Sequence, residues 1–175
     1  MIKDRLLVLG LGNILMGDDG IGVHVIAELK KLDMTGNVDI IDGGTVGIDI
    51  LDILSLYRKV FVADAMINSG EDIRLFSVDE LLIKQDDSNY SMHDINLTST
   101  ISLMKALNIR IPSITILGIP AGDISHGAGL SDDCKRHLSD ATRLLVKMIM
   151  LFSLNPQQLE TMNPDNIMEE LHDFL

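Results

Sequence analysis

Four acids and one histidine carry most of the chemistry that this sequence offers. Asp18 and Asp19 stand side by side in the stretch Gly10-Leu11-Gly12-Asn13-Ile14-Leu15-Met16-Gly17-Asp18-Asp19-Gly20-Ile21-Gly22. Asp42 opens the turn Asp42-Gly43-Gly44-Thr45, Asp64 ends the apolar run Val60-Phe61-Val62-Ala63, and His93 follows a polar stretch from Lys84 to Ser91. Two adjacent carboxylates repel a pyrophosphate and attract a cation. Asp19, Asp64 and His93 together offer two carboxylates and an imidazole, a facial set that binds a hard-to-borderline metal and leaves coordination positions open. The same groups equally suit acid–base work in hydrolysis.

Elements must bring these residues together. Leu6-Leu7-Val8-Leu9 reads as a buried strand, and Ile21, Val25, Leu29 and Leu32 follow it at helical spacing. A strand, a glycine turn and a helix make the first half of a βαβ unit, whose ligands gather at the carboxyl ends of the strands. A phosphate commonly sits on the helix N-terminus in such a turn; here Asp18 and Asp19 take that place. Further strands are expected at Val38 to Ile41, at Val60 to Asp64, at Ile73 to Val78 on a sheet edge, and at Ser113 to Ile119. Short helices should carry Ile48, Leu51 and Leu54 or Ser55, and then Ile95, Ile101, Met104 and Leu107 or Asn108. Ser131 reads as the cap of a last core helix with Cys134, Leu138, Ala141, Leu145, Met148 and Phe152 on one face.

Alternating strands and helices imply a doubly wound sheet with its switch point beside the first strand. If the third strand lies next to the first, Asp19 and Asp64 flank that crevice. His93, at the start of a helix, can reach the same rim.

Plainer roles compete at each position. Asp18 or Asp19 can cap the following helix, and Asp42 can hold its Gly-Gly turn by a side-chain hydrogen bond. Asp64 is harder to explain away, because a carboxylate closing a buried apolar run is costly unless used or paired. His24 and His172 read as surface residues, and His126, in a glycine-rich loop, is a reserve candidate. A dinucleotide fingerprint needs glycine where Leu15 stands, although Asp42 imitates its ribose-binding acid, so a nucleotide-binding Rossmann-like module remains an alternative, as does a generic metal-dependent hydrolase. No Gly-x-Ser-x-Gly elbow is present. Cys134, on an apolar helix face, reads as core rather than nucleophile.

At 175 residues the chain suits one domain, 1–154, with an acidic tail, 155–175. The tail has five acids and no Lys or Arg; Asn163 and Pro164 open a short helix with Ile167, Leu171 and Phe174 on its apolar edge. The net charge of −12 argues against nucleic acid or an anionic membrane as partner. The single cysteine excludes an internal disulfide and fits a reducing compartment. Leu6 to Gly12 is too short for a targeting segment, and Leu144 to Leu154 is too short to span a bilayer. A soluble, cytoplasmic monomer is expected.

Gly10-x-Gly12-Asn13-x-Leu15-x-x-Asp18-Asp19-Gly20-x-Gly22, then Asp42-Gly43-Gly44-Thr45-x-Gly47, Ala63-Asp64-Ala65 and Ser91-Met92-His93 closely resemble, in order, the motifs of the hydrogenase maturation proteases. They cover the chain from about Leu6 to Leu151. The resemblance implies a three-layer α/β/α sandwich with a five-stranded, mostly parallel sheet of the phosphorylase/hydrolase-like kind. It implies an endopeptidase that trims the C-terminal extension from a nickel-iron hydrogenase large-subunit precursor. It also implies that Asp19, Asp64 and His93 contact nickel already inserted in that precursor, so nickel comes with the substrate, though other divalent metals can occupy the site. Some relatives carry Glu at the place of Asp19. Asp42 is a further candidate for a base or for substrate contact.

Overall fold

The runs Leu6 to Leu9 and Val60 to Ala63 are apolar throughout because helices cover both faces of the sheet. The computed structural model describes residues 3–32, 37–45, 50–67, 70, 72–83, 92–154, 157 and 163–173. Its strands are β1 (Lys3–Leu11), β2 (Val38–Gly44), β3 (Tyr57–Ile67), β4 (Arg74–Ser77) and β5 (Ser113–Ala121), in the spatial order β2-β1-β3-β5-β4. All neighbours are parallel except β4, which runs antiparallel to β5 on the edge. The helices are α1 (Ile21–Lys30), α2 (Ile50–Ser55), α3 (Val78–Ile83), α4 (Met92–Ala106), α5 (Asp132–Leu154) and α6 (Pro164–Asp173). From β1 the chain moves to β2 on one side and then to β3 on the other. The switch point therefore falls between β1 and β3, as the alternation of elements implied.

Strand alternation divides the core into two layers. Leu6, Val8, Phe61, Ala63, Leu117 and Ile119 pack under α1, α5 and α6. Leu7, Leu9, Val60, Val62, Ile114 and Ile116 pack under α2 and α4. The result is an α/β/α sandwich with a five-stranded, mostly parallel sheet. Near the amino ends of the strands, the buried ammonium of Lys59 donates to Thr115 Oγ1 at 2.9 Å and Ser113 Oγ at 3.1 Å. No helix among the described residues is long and apolar enough to cross a membrane.

Local rules account for most boundaries, including some that differ from expectation. The strand expected to run to Val78 ends at Ser77 because Ser77 and Glu80 form a capping box that starts α3. The Ser77 amide donates to Glu80 Oε2 at 2.6 Å, and the Glu80 amide to Ser77 Oγ at 3.2 Å. α1 stops at Lys30, so Leu32 leaves the apolar stripe and is half exposed. Leu107 is likewise exposed, because α4 ends at Ala106 and Asn108 turns left-handed with φ of 54°. Ile48, Gly47, Ser91 and Phe174 lie outside the described residues, as do the side chains of Met92, His93 and Ile95.

The tail's helix belongs to the core. Pro164 opens α6, and Asn163 caps it by accepting the Asn166 amide at 2.8 Å. Ile167 is fully buried and Leu171 nearly so, in the cluster that also holds α5.

α1 lies unusually close to the sheet, and glycine permits it. A Cβ on Gly22 would strike the carbonyl oxygens of both Ala63 and Leu11. Gly22→Ala should therefore push α1 off β1 and β3. An overpacking cost of about 1–3 kcal/mol is expected in urea denaturation; an unchanged midpoint would show that the contact relaxes freely.

Candidate active site

The segment from Leu11 to Ile21 is folded by its own side chains. β1 ends at Leu11, and Gly12 takes φ of 135°, with Asp19's carbonyl oxygen packed where a Cβ would stand. Asn13 Oδ1 accepts the Leu15 amide at 3.0 Å, an Asx turn. The Asn13 amide donates to Asp19 Oδ2 at 2.9 Å, tying the acid to the carboxyl end of β1. Gly17–Gly20 then forms a 3-10 turn that packs against β3 and leads into α1. Asp19 sits in that turn and is 8% exposed.

The two adjacent acids do different things. Asp18 does not cap α1, whose N-cap position is Gly20 with no side-chain hydrogen bond. It turns instead into the loop after β5 and is 1% exposed. Its Oδ1 accepts the Ser131 amide at 2.7 Å; its Oδ2 accepts Ser131 Oγ and the Asp123 amide at 2.9 Å each and the Gly122 amide at 3.1 Å. Burial pushes its carboxyl upward, but the hydrogen bonds from Asp123, Ser131 and Gly122 outweigh that and hold it below the ordinary 3.8. A depressed native value means stability that is complete above pH 3.8 and is lost as the pH falls through the native value. Urea midpoints measured downward from pH 6 should therefore fall more steeply below pH 3.8 in the wild type than in Asp18→Asn. Parallel profiles would contradict this.

Asp64 lies on β3 opposite Gly118 of β5, one residue beyond the Gly10–Ala63 pair that joins β1 to β3. It is 2% exposed, and its Oδ1 accepts the Ala65 amide at 2.8 Å. Alternation puts its side chain on the same face as Val60 and Val62, the face that α4 covers. α4 connects through residues 107–112 to the first residue of β5, so its first turn lies near the carboxyl ends of the strands. His93 is the second residue of that turn; its side chain lies outside the described residues. Among the described residues, no three His, Cys, Asp or Glu side chains cluster to hold a metal.

Asp42 pairs with Gly10 from β2, on the other flank of β1 from Asp64. It is exposed, and its Oδ1 accepts the Gly44 amide at 3.0 Å, holding the turn where Gly44 takes φ of 51°. His126 is exposed on the loop after β5; His24 is half-buried on α1, with its Nε2 shielded from solvent. The side chain of His172 lies outside the described residues. Cys134 is buried with its Sγ 3.8 Å from the Pro120 carbonyl oxygen. Burial, and then the charge and hydrogen bond of Asp18, push its thiol up to about 12, so it stays neutral and is no nucleophile.

The turn bearing Asp19 packs against β3, and Asp64 lies near the carboxyl end of that strand beside the switch point, with the loop after β5 fastened alongside through Asp18. What sequence reasoning missed is that fastening. Ser131 is visible as a helix cap, and its Oγ does accept the Cys134 amide at 3.1 Å. Its second bond, to Asp18, spans 113 residues and leaves no local signature.

The chain is similar to known proteins along most of its length. The family model described as hydrogenase maturation protease matches residues 23–150. The hydrogenase 2 maturation protease of Escherichia coli K12 is 27% identical over 130 residues, spanning 73% of this chain and 79% of that protein. The hydrogenase expression/formation protein HupD of Bradyrhizobium diazoefficiens is 31% identical over 129 residues, 72% of this chain and 67% of that one. The solved structure of the hydrogenase maturating endopeptidase HybD from E. coli shares the fold, with a TM-score of 0.73 at 23% identity over 83% of this chain and 92% of that one. With a family match over most of its length and the same sandwich beneath it, the chain belongs to the hydrogenase maturation proteases.

Proposed function

We propose that this protein is an endopeptidase that removes the C-terminal extension from the large-subunit precursor of a nickel-iron hydrogenase after nickel insertion. The observation that carries this reading is the buried carboxylate of Asp64 at the carboxyl end of the central strand, against which the turn bearing Asp19 packs. The Ala65 amide donates to its Oδ1 at 2.8 Å and so fixes the carboxylate at that end of the strand. Asp19, Asp64 and His93 are the groups we assign to contact with nickel, which arrives in the precursor as part of the substrate. Two carboxylates and one imidazole leave coordination positions for the precursor's own ligands. The enzyme then reads whether the metal is present.

Hydrolysis adds water across the scissile amide, leaving a carboxylate on the mature subunit and an amine on the released peptide. A carboxylate beside the bound precursor serves as the proton acceptor for the attacking water. Asp42 is the second candidate for that base or for peptide contact, although its Oδ1 already serves the Gly44 amide. The neutral Cys134 thiol argues against a covalent thioester route. The chain's acidity and its single buried thiol suit a reducing, cytoplasmic setting.

A gel assay on a nickel-loaded precursor tests the reading. Incubation with this protein should convert the precursor to a shorter band. A precursor that stays full-length here, while an authentic maturation protease trims it, would refute the proposal for that substrate.

A further inference from the structure

We infer that Asp18 is a positioning residue of the site: it locks the turn that carries Asp19 to the loop between β5 and α5. The inference rests on the protease reading above for its consequence, and on geometry alone for its cause.

Asp18 stands where the two loops meet. Its amide donates to the Asp123 carbonyl at 2.7 Å, the Gly17 amide donates to the Gly127 carbonyl at 2.9 Å, and the Gly127 amide donates to the Leu15 carbonyl at 3.0 Å. Across this backbone seam the Asp18 carboxylate accepts from Gly122, Asp123 and Ser131. Those partners are 104 to 113 residues away in sequence. Ser131 Oγ passes the connection on, donating to Asp18 Oδ2 and accepting from the Cys134 amide in the first turn of α5.

Only a carboxylate meets this demand. These four hydrogen bonds all reach Asp18 from donors, and an ionised carboxyl is acceptor-only with about four lone-pair sites. An amide side chain would turn its NH₂ group against one of the donors. Successive residues of a 3-10 turn point about 120° apart, so fixing Asp18 on the loop side fixes the direction of Asp19. The Asn13 amide, which donates to Asp19 Oδ2, reports that direction. Asp18 is therefore the anchor and Asp19 the residue that meets substrate.

The test compares wild type, Asp18→Asn and the milder Ser131→Ala by two measurements. The first is the ¹⁵N shift and hydrogen exchange of the Asn13 amide, with the Val25 amide inside α1 as an internal reference. In Asp18→Asn the Asn13 signal should move and exchange roughly 10-fold faster or more, while Val25 stays near its wild-type behaviour. Ser131→Ala should act in the same direction and less strongly. Loss of the α5 cap alone would fray α5 and leave Asn13 untouched. The second measurement is cleavage of the nickel-loaded precursor, where kcat should fall roughly 100-fold in Asp18→Asn with a much smaller change in KM, the scale of a displacement of about 1 Å. If Asp18→Asn fails to fold, Ser131→Ala decides by both measurements. An Asn13 amide unchanged in the variants, or a wild-type kcat in folded Asp18→Asn, would reduce Asp18 to a purely structural group and overturn the inference. Should the wild type cleave no precursor, the protease reading fails by itself, and the Asn13 amide still decides the role of Asp18.

Discussion

Asp64→Asn should lower precursor cleavage by at least roughly 100-fold while leaving the melting temperature close to wild type. The substitution conserves shape, and an asparagine Oδ1 can still accept the Ala65 amide that Asp64 Oδ1 accepts at 2.8 Å. What it removes is negative charge at the carboxyl end of β3, the property the proposed nickel contact needs. Asp19→Asn should behave alike, since its Oδ1 can still accept from the Asn13 amide. Asp19→Glu, which keeps the carboxylate, should be the mildest change at that position. His93→Ala should also abolish trimming. Rates come from a time course of product formed, and fold from the melting curve. Wild-type trimming by Asp64→Asn would remove this site from the chemistry even with the family unchanged.

Truncation after Leu154 should have the largest effect on stability. It removes α6, whose Ile167 is fully buried and whose Leu171 is 4% exposed. At about 1.5–3 kcal/mol for each fully buried aliphatic side chain, the pair contributes roughly 3–6 kcal/mol. That is a large part of the 5–15 kcal/mol typical of a whole domain, so the truncated chain should unfold at a much lower urea concentration. Asp19 and Asp64 are left in place, and the fraction that stays folded should keep trimming. An unchanged midpoint would mean that α6 covers the core without stabilising it.

The sequence reveals the layout well and its long-range fastenings poorly, for a physical reason. Runs such as Leu6 to Leu9 and Val60 to Ala63 are apolar throughout because both faces are buried, and that pattern is local. The capping box at Ser77 and Glu80 is also local, but α3 spans six residues, too few to show a helical period. Leu32 fits the stripe of α1 by spacing, but two residues beyond Lys30 the chain has left the helix. Asp18 is the instructive case. Read locally, an acid before a helix is a cap, and nothing nearby indicates otherwise. Its partners lie on a loop more than a hundred residues later, brought alongside only because β5 sits next to β3. For Asp42 the local reading does describe the geometry, since its bond to the Gly44 amide spans two residues.

Under the proposed function, the enzyme acts on a precursor because of the nickel it carries. Intact-mass spectrometry of nickel-loaded and nickel-free large-subunit precursor, each incubated with the wild-type protein, tests this most directly. The loaded precursor should lose the C-terminal peptide in a single step, and the nickel-free one should keep it. Equal cleavage of both, or an intact loaded precursor that an authentic maturation protease does trim, would contradict it.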